Sequence, residues 1–257
     1  CTDVGRIVGE DGGVRVDGLV DVLELGLVEL RDLVLDAALL LGLVGEVALL
    51  LVDLEELRVA APAKFAVIPL GLELARFGSV DRSDEARRRV RAGLKIPEGA
   101  RAVGIVGRLV PIKNHELFLE AVAADRLRTS TGALDHRGAP GAPAAPAPLL
   151  GVVVGSGERE PELRALAERL GVEDRVLWLG WRRDLPDIYA ALDALALPSH
   201  DEGTPVAVLE ALAAGLPVVA RDVGGVGEVL ADVGAGTVLP REAGPEAWAR
   251  AMAAAVQ

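Results

Sequence analysis

The chain has 257 residues and a formal net charge of −12. Hydrophobic residues make up 51% of it and aromatic residues only 3%, so its core has to consist of the aliphatic residues typical of buried parallel strands. The negative charge argues against a nucleic-acid partner, because phosphate backbones bind basic surfaces. The single cysteine, Cys1, cannot form an internal disulfide. No signal peptide is recognisable, and the most apolar window, residues 37–52, is shorter than the ~20 residues that span a bilayer, so we expect a soluble, cytoplasmic protein.

Residues 1–62 follow neither a helical nor a strand period cleanly. Acidic residues are scattered through aliphatic runs over residues 19–57, and one or two helices are the simplest interpretation. We therefore expect 1–62 to be a poorly defined remnant of a further domain. Residues 63–257 are expected to form a Rossmann-like α/β domain.

From Lys64 onward, short β-branched runs alternate with longer amphipathic ones. This alternation predicts βαβ units and a Rossmann-like, doubly wound parallel sheet. The predicted strands cover residues 65–68, 102–106, 151–154, 176–179, 194–197, 218–220 and 237–239. The predicted helices cover residues 84–93, 115–126, 160–170, 185–192, 205–214, 226–231 and 245–256.

One stretch interrupts this pattern. Residues 129–148 are rich in Ala, Gly and Pro, a composition that does not build a packed element. Connections at such a position usually take ~2 to 6 residues. We expect residues 129–148 to be a flexible surface insert.

Two cations follow the strand predicted at residues 102–106. Arg108 and Lys113 flank the turn from this strand into the next helix, which Asn114 could cap. Both would lie at the carboxyl edge of the sheet beside a positive helix end, where doubly wound sheets bind anions. The alternative interpretation is that both are ordinary loop charges.

A glycine turn follows the next predicted strand. Gly155 and Gly157 lie directly before a helix, and glycines at such a point allow a backbone to approach a ligand closely. Position 160 is Glu160, so the turn is not a full dinucleotide-binding motif. A plain tight turn explains the two glycines equally well.

A third group of residues surrounds the helix predicted at 205–214. Thr204 is a suitable N-cap and Pro205 suits the first helical position, which places Glu202 in the preceding loop. Glu210 falls on the edge of the apolar stripe of the helix, where a carboxylate needs a partner. Ribose hydroxyls would provide one, and a core arginine or an ordered water is the alternative.

The histidines and acids offer no metal-ligand spacing, so no metal site is predicted. His115 and His136 are most simply surface residues. His200 is a candidate to line a sugar pocket.

Taken together, these blocks resemble the retaining glycosyltransferases of the GT-B fold, in the group 1, family 4-like set that carries a Glu-x7-Glu motif. Glu202 and Glu210 match the two acids of that motif. Residues 107–113 are similar to the phosphate-binding turn of the family, residues 67–71 to the entry into its C-terminal domain, and residues 223–228 to a glycine turn after a later strand. The resemblance covers roughly residues 64–257 and implies the C-terminal domain of a GT-B fold.

The resemblance implies a role for each matching residue. Arg108 and Lys113 would neutralise the leaving diphosphate. Glu202 would contact the transferred sugar or stabilise its developing positive charge, and Glu210 would hold the ribose. Contacts with the base would come from residues 180–183. The expected donor-binding residues are Gly107, Gly155, Gly157, Arg183, Gly203, Thr204, Pro205, Val206 and Glu210.

The same resemblance implies a reaction. We expect a sugar to be transferred from a nucleoside diphosphate to a carbohydrate or lipid-linked acceptor, with retention and without a metal or other cofactor, in polysaccharide or glycoconjugate synthesis. Residues 1–62 are too few for an acceptor domain, so we expect a fragment that keeps donor binding. Peripheral membrane contact would require the missing parts. A non-catalytic nucleotide-sugar-binding module and a nucleotide-sugar epimerase stay open as alternatives.

Overall fold

The computed structural model describes residues 6–8, 14–16, 71–135, 148–234 and 236–256. The chain divides into two compact units, residues 1–57 and 58–257. In the first unit, β1 (Arg6–Val8) and β2 (Val14–Val16) form an antiparallel ladder. The helices predicted within residues 19–57 and the strand predicted at 65–68 lie outside the described residues.

The second unit contains a six-stranded parallel sheet. Its strands are β3 (Arg101–Val106), β4 (Leu149–Val154), β5 (Val176–Gly180), β6 (Ala194–Leu197), β7 (Val218–Arg221) and β8 (Gly236–Leu239). Their spatial order is β5-β4-β3-β6-β7-β8. The chain therefore runs outward from β3 to β5 and then returns to place β6 on the other side of β3. Such a reversal opens a crevice at the carboxyl ends of the two central strands, where open α/β sheets bind their ligands.

Helices connect the strands of this unit. They are α1 (Ala75–Gly78), α2 (Asp84–Gly93), α3 (His115–Asp135), α4 (Glu160–Arg169), α5 (Leu185–Ala191), α6 (Val206–Ala213), α7 (Val226–Val233) and α8 (Pro245–Ala255). Short 3-10 turns at Pro111–Lys113 and Glu173–Arg175 precede α3 and β5. The start of α2 illustrates the local signals, since Ser83 accepts a hydrogen bond from the backbone N–H of Ala86.

Two apolar layers cover the two faces of the sheet. Leu195 and Leu197 of β6 pack on one side with α1, α5, α6 and α7, whereas Ala194 and Ala196 pack on the other with α3, α4 and α8. This period of two is what a strand buried on both faces requires. Each fully buried Leu contributes about 1.5 to 3 kcal/mol relative to an exposed one, which fixes the register of the central strands.

The structure confirms the predicted doubly wound parallel sheet, and β6 has the predicted bounds. The prediction for residues 129–148 was wrong at its beginning, because α3 continues to Asp135. Thr129 and Ser130 satisfy their hydroxyls within the helix by donating to the carbonyls of Asp125 and Arg126. Residues 136–147, which hold most of the prolines, lie outside the described residues.

Candidate functional site

The loops that follow β3 and β6 meet at the carboxyl edge of the sheet. The side-chain amide of Asn114 donates to the carbonyl of Pro198 at 3.2 Å, and the backbone N–H of His200 donates to the carbonyl of Ile112 at 2.8 Å. Asn114 has a left-handed backbone conformation, and its side chain joins the two loops instead of capping α3 as predicted. These contacts fix the loop before Glu202 against the turn that carries the predicted cations.

Lys113 and Glu202 form an ion pair across this junction. The ammonium Nζ of Lys113 lies 2.6 Å from Oε1 and 2.8 Å from Oε2 of Glu202. The hydroxyl of buried Ser199 also donates to Oε1 at 2.5 Å. Only 7% of the Glu202 side chain is exposed, compared with 26% of that of Lys113. The structure thus brings together one predicted cation and one predicted acid, and leaves about a quarter of the Lys113 side chain exposed.

Arg108 lies on the same turn but makes no such contact. Its side chain is exposed and has no hydrogen-bond or ion-pair partner among the described residues. Gly107 precedes it, and a Cβ at Gly107 would lie 3.7 Å from the Lys113 side chain. The turn therefore presents the guanidinium donors of Arg108 to solvent.

The turn that contains Gly155 and Gly157 packs against the Arg108 turn. A Cβ on Gly155, which has a φ of +139°, would lie 1.8 Å from the carbonyl oxygen of Gly107, and one on Gly157 would lie 2.4 Å from that of Leu109. The space left by the two missing side chains is thus filled by backbone. Both glycines are required for turn-on-turn packing, which supports the plain-turn interpretation, and their contact with a donor stays a prediction.

Glu210 lies in α6 and is buried, with 8% of its surface exposed. The Tyr189 hydroxyl donates to its Oε2 at 3.0 Å, so its partner among the described residues is a tyrosine and not the core arginine considered from the sequence. Burial raises the pKa of Glu210, while the Tyr189 hydrogen bond and the positive charge of Arg76 oppose that rise. Burial and the neighbouring carboxylate raise the pKa of Tyr189, which keeps it a donor.

The start of α6 differs from the prediction by one residue. Pro205 occupies the N-cap position and Val206 is the first helical residue, so Thr204 does not cap the helix. Proline has no backbone N–H to donate, and its ring fixes φ at a value that suits the start of a helix. Gly203 and Thr204 are exposed, and within the described residues their backbone N–H groups have no acceptor. Among the described residues, two donors without an acceptor thus lie at the positive end of α6, one and two residues after Glu202.

Two arginines follow β5, and only one of them is paired with a carboxylate in the described part of the chain. Arg182 donates to both carboxylate oxygens of Asp184, at 2.8 and 2.5 Å. Arg183 is exposed, and its guanidinium carbon lies 5.1 Å from the centroid of the Trp181 ring. Trp181 is itself 63% exposed, so a flat ligand has access to this segment.

The prediction that His115 lies on the surface was wrong. It is 1% exposed at the start of α3, because the helix turns this position towards the core rather than towards solvent. Burial lowers the pKa of His115 to about 4, and it is therefore neutral at ordinary pH. His200 is exposed in the loop before Glu202, whereas His136 lies outside the described residues.

Sequence reasoning missed three residues of the site. Ser199 and Tyr189 contact the two predicted acids, and Arg221 ends β7 with its side chain buried. A polar residue one or two positions after a predicted strand was a usable signal for Arg221 and Ser199. Nothing in the spacing of the chain's single tyrosine pointed to Glu210.

The parts of the chain that the structure describes contain no group of three or more His, Cys, Asp or Glu side chains arranged to hold a metal ion. No described helix is long and apolar enough to cross a membrane.

A cleft lined by Leu216, Pro217 and Val218 lies at the amino edge of the sheet, opposite the predicted site. None of the predicted site residues lines this cleft.

Comparisons with known proteins identify this architecture. Doubly wound domains commonly bind phosphorylated ligands at such a switch point, beside cations and helix-end donors. Residues 86–257 match the family described as "Glycosyl transferases group 1". The D-inositol 3-phosphate glycosyltransferase of Salinispora tropica is 38% identical over 198 residues, which cover 75% of this chain and 39% of the relative. The chain belongs to the group 1 glycosyl transferases.

Solved structures show the same fold. WaaG, a glycosyltransferase involved in lipopolysaccharide biosynthesis, superimposes with a TM-score of 0.64 and 26% identity over 80% of this chain and 50% of its own. HepE of Anabaena, in complex with UDP and glucose, gives 0.60 and 23% over 77% of this chain and 49% of its own. The second unit has the fold of the C-terminal domain of GT-B glycosyltransferases. The chain spans about two fifths of the Salinispora relative's length.

Proposed function

We propose that this chain binds the nucleoside diphosphate of a sugar nucleotide at the carboxyl edge of its sheet, and that the whole protein transfers the sugar to a hydroxyl group with retention at the anomeric carbon. The observation that carries the proposal is the pairing of Lys113 with Glu202 at the switch point, beside an exposed Arg108. The S. tropica relative is named a glycosyltransferase, and the HepE structure contains UDP and glucose, which supports this assignment.

The two cations would act on the leaving group. As the bond between the anomeric carbon and the diphosphate oxygen breaks, negative charge grows on the diphosphate, and fixed cations stabilise it. An ammonium has three N–H donors, and Lys113 directs two hydrogen bonds to Glu202, so one donor is left for a phosphate oxygen. Arg108 has its planar fork of donors free to bind the same diphosphate.

The two acids would divide the rest of the donor between them. We assign Glu202 to the sugar, because it is held beside the cations of the leaving group by Lys113 and Ser199. Glu210 would accept hydrogen bonds from the ribose hydroxyls through the oxygen that Tyr189 leaves free. The exposed N–H groups of Gly203 and Thr204 would donate to the sugar or the phosphates.

The finer assignment belongs to the same proposal. We place the chain in the Glu-x7-Glu, family 4-like group, with a carbohydrate or lipid-linked acceptor, in cytoplasmic polysaccharide or glycoconjugate synthesis. Side-chain cations would balance the diphosphate charge in place of a metal, so a chelator such as EDTA should leave UDP binding to this chain unchanged. A metal-dependent affinity would overturn that part.

Calorimetry with UDP, GDP and ADP tests the nucleotide site. Arg108→Gln and Lys113→Gln should each weaken binding of the preferred nucleotide by about tenfold or more, since a hydrogen bond to a charged group is worth roughly 1.5 to 3 kcal/mol. Arg88→Gln is the matched control, because Arg88 is an exposed residue of α2, which docks on the residues before β6 at the opposite edge. Unchanged affinity in both site variants would place the nucleotide elsewhere.

A further inference from the structure

Arg221 is an arginine in a position where the fold otherwise places aliphatic residues. It is the last residue of β7, after Val218, Val219 and Ala220, and only 8% of its surface is exposed. β7 lies beside β6, so Arg221 is found at the carboxyl edge next to the loop that carries Glu202. Burying a guanidinium is costly unless an anion or a full set of acceptors surrounds it.

The described residues supply only part of that set. One terminal nitrogen of Arg221 donates to Nδ1 of His200 at 3.0 Å, whereas its buried Nε has no acceptor in the described part of the chain. No ion pair joins Arg221 to a carboxylate within those residues. Burial and the nearby guanidinium of Arg241 lower the pKa of Arg221, which reflects a cation without a balancing charge.

The neighbours of Arg221 are also donors. A guanidinium has no acceptor, so His200 Nδ1 must accept the hydrogen bond, and the proton of the neutral ring lies on Nε2. Arg241 uses its Nε on the carbonyl of Asp222 at 3.0 Å and is otherwise exposed. A protein with a net charge of −12 thus places two arginines and a donor histidine together at one point of its site.

This point is separate from the proposed diphosphate site. Arg108 and Lys113 follow β3, whereas Arg221 ends β7, the second strand away in the order β3-β6-β7. Neighbouring strands lie about 4.8 Å apart, so the two strand ends are roughly 10 Å apart. One diphosphate held by the β3 turn would leave Arg221 without its anion.

We propose that Arg221, assisted by His200 and Arg241, binds a second oxyanion, a carboxylate or phosphate group of the substrate other than the diphosphate. The inference rests on the proposed nucleotide-sugar function, and it predicts that one of the two substrates carries an acidic group besides the diphosphate. Guanidinium forks match the planar carboxylate and the phosphate oxygens equally well. The group belongs either to an acidic sugar of the donor or to a phosphorylated acceptor.

Two ligand comparisons distinguish these sources. UDP-glucose and UDP-glucuronate differ only at C6, where the second carries a carboxylate, and calorimetry on the chain compares their affinities directly. Inorganic phosphate, titrated into the chain saturated with UDP, represents the acceptor phosphate. In both series the ¹H–¹⁵N signal of Arg221 Nε–H reports binding at this atom without any mutation. Arg221→Gln and Arg221→Lys test the charge and the fork, and Arg250→Gln, at an exposed site on α8, is the control.

We expect one of two results: UDP-glucuronate binds about tenfold or more tightly than UDP-glucose, or inorganic phosphate binds the UDP-saturated chain. The anion that binds should shift the Arg221 Nε–H signal. Its affinity should fall by about tenfold or more in Arg221→Gln. A preference for UDP-glucuronate would show that the acidic group bound by Arg221 belongs to the donor sugar. Phosphate binding in the presence of UDP would show that it belongs to the acceptor. If neither ligand shifts the Arg221 signal, the inference is overturned. If phosphate shifts it while no nucleotide binds, the anion site stands and the proposed function fails.

Discussion

Glu202→Gln removes one negative charge from the centre of the site while it keeps the size of the side chain. In the native protein the carboxylate accepts two hydrogen bonds from Lys113 and one from Ser199. Removing one partner of a fully buried ion pair costs about 3 to 5 kcal/mol. Because 26% of the Lys113 side chain is exposed and its ammonium can be hydrated, we expect a smaller loss in the free energy of unfolding, about 2 kcal/mol.

Although Glu202→Gln should lower the stability of the protein, it should not lower its affinity for the bare nucleotide. Glu202→Gln releases Lys113, so the affinity for UDP should be unchanged or up to about tenfold higher. The affinity for UDP-glucose should fall relative to UDP, because the lost charge faces the sugar. Urea denaturation measures the first quantity and calorimetry with both ligands measures the second, with the GDP and ADP pairs tested in the same way.

Two outcomes would contradict this reasoning. Equal losses for UDP and UDP-glucose would show that Glu202 does not contact the sugar, and its assigned role would have to be withdrawn. A drop in UDP affinity alone would show that Glu202 orients Lys113 for the diphosphate instead of competing for it. Glu98→Gln, in the exposed turn before β3, controls for the loss of one negative charge.

Three further predictions concern other parts of the structure. The buried His115 stays neutral down to a pH of about 4, whereas the same side chain in the unfolded chain takes up a proton near pH 6.5. The free energy of unfolding should therefore fall by about 3 kcal/mol as the pH is lowered across that interval, which urea denaturation measures. His115→Phe should abolish this part of the loss. Glu210→Gln should weaken UDP and UDP-glucose alike by about tenfold in calorimetry, whereas Tyr189→Phe should cost about 1 to 2 kcal/mol of stability with UDP affinity within a few fold. Gly155→Ala should destabilise the protein by about 2 kcal/mol more than Gly171→Ala in denaturant titrations. Both glycines have a positive φ, but only a Cβ at Gly155 would clash with backbone atoms. Equal effects of the two substitutions would refute the packing argument.

The sequence alone determined most of the elements of the second unit and the layered sheet that they form. The predictions for residues 84–93 and 194–197 match α2 and β6 at both ends. These predictions succeeded because they depend on local signals: the N-cap at Ser83 and the uninterrupted apolar run of a strand buried on both faces. Local signals also located Arg108 and Lys113 at the end of a strand, since βαβ units leave their loops there.

Only the tertiary structure decided which of these residues meet. Lys113 and Glu202 are 89 residues apart, and they pair because the chain returns from β5 to place β6 beside β3. The pairing of Tyr189 with Glu210 depends in the same way on how α5 and α6 pack over one face of the sheet. Spacing along the chain encodes which face of an element is buried. Strand order and helix packing decide which side chains face each other, and for that reason the unbalanced charge of Arg221 became visible only in the fold.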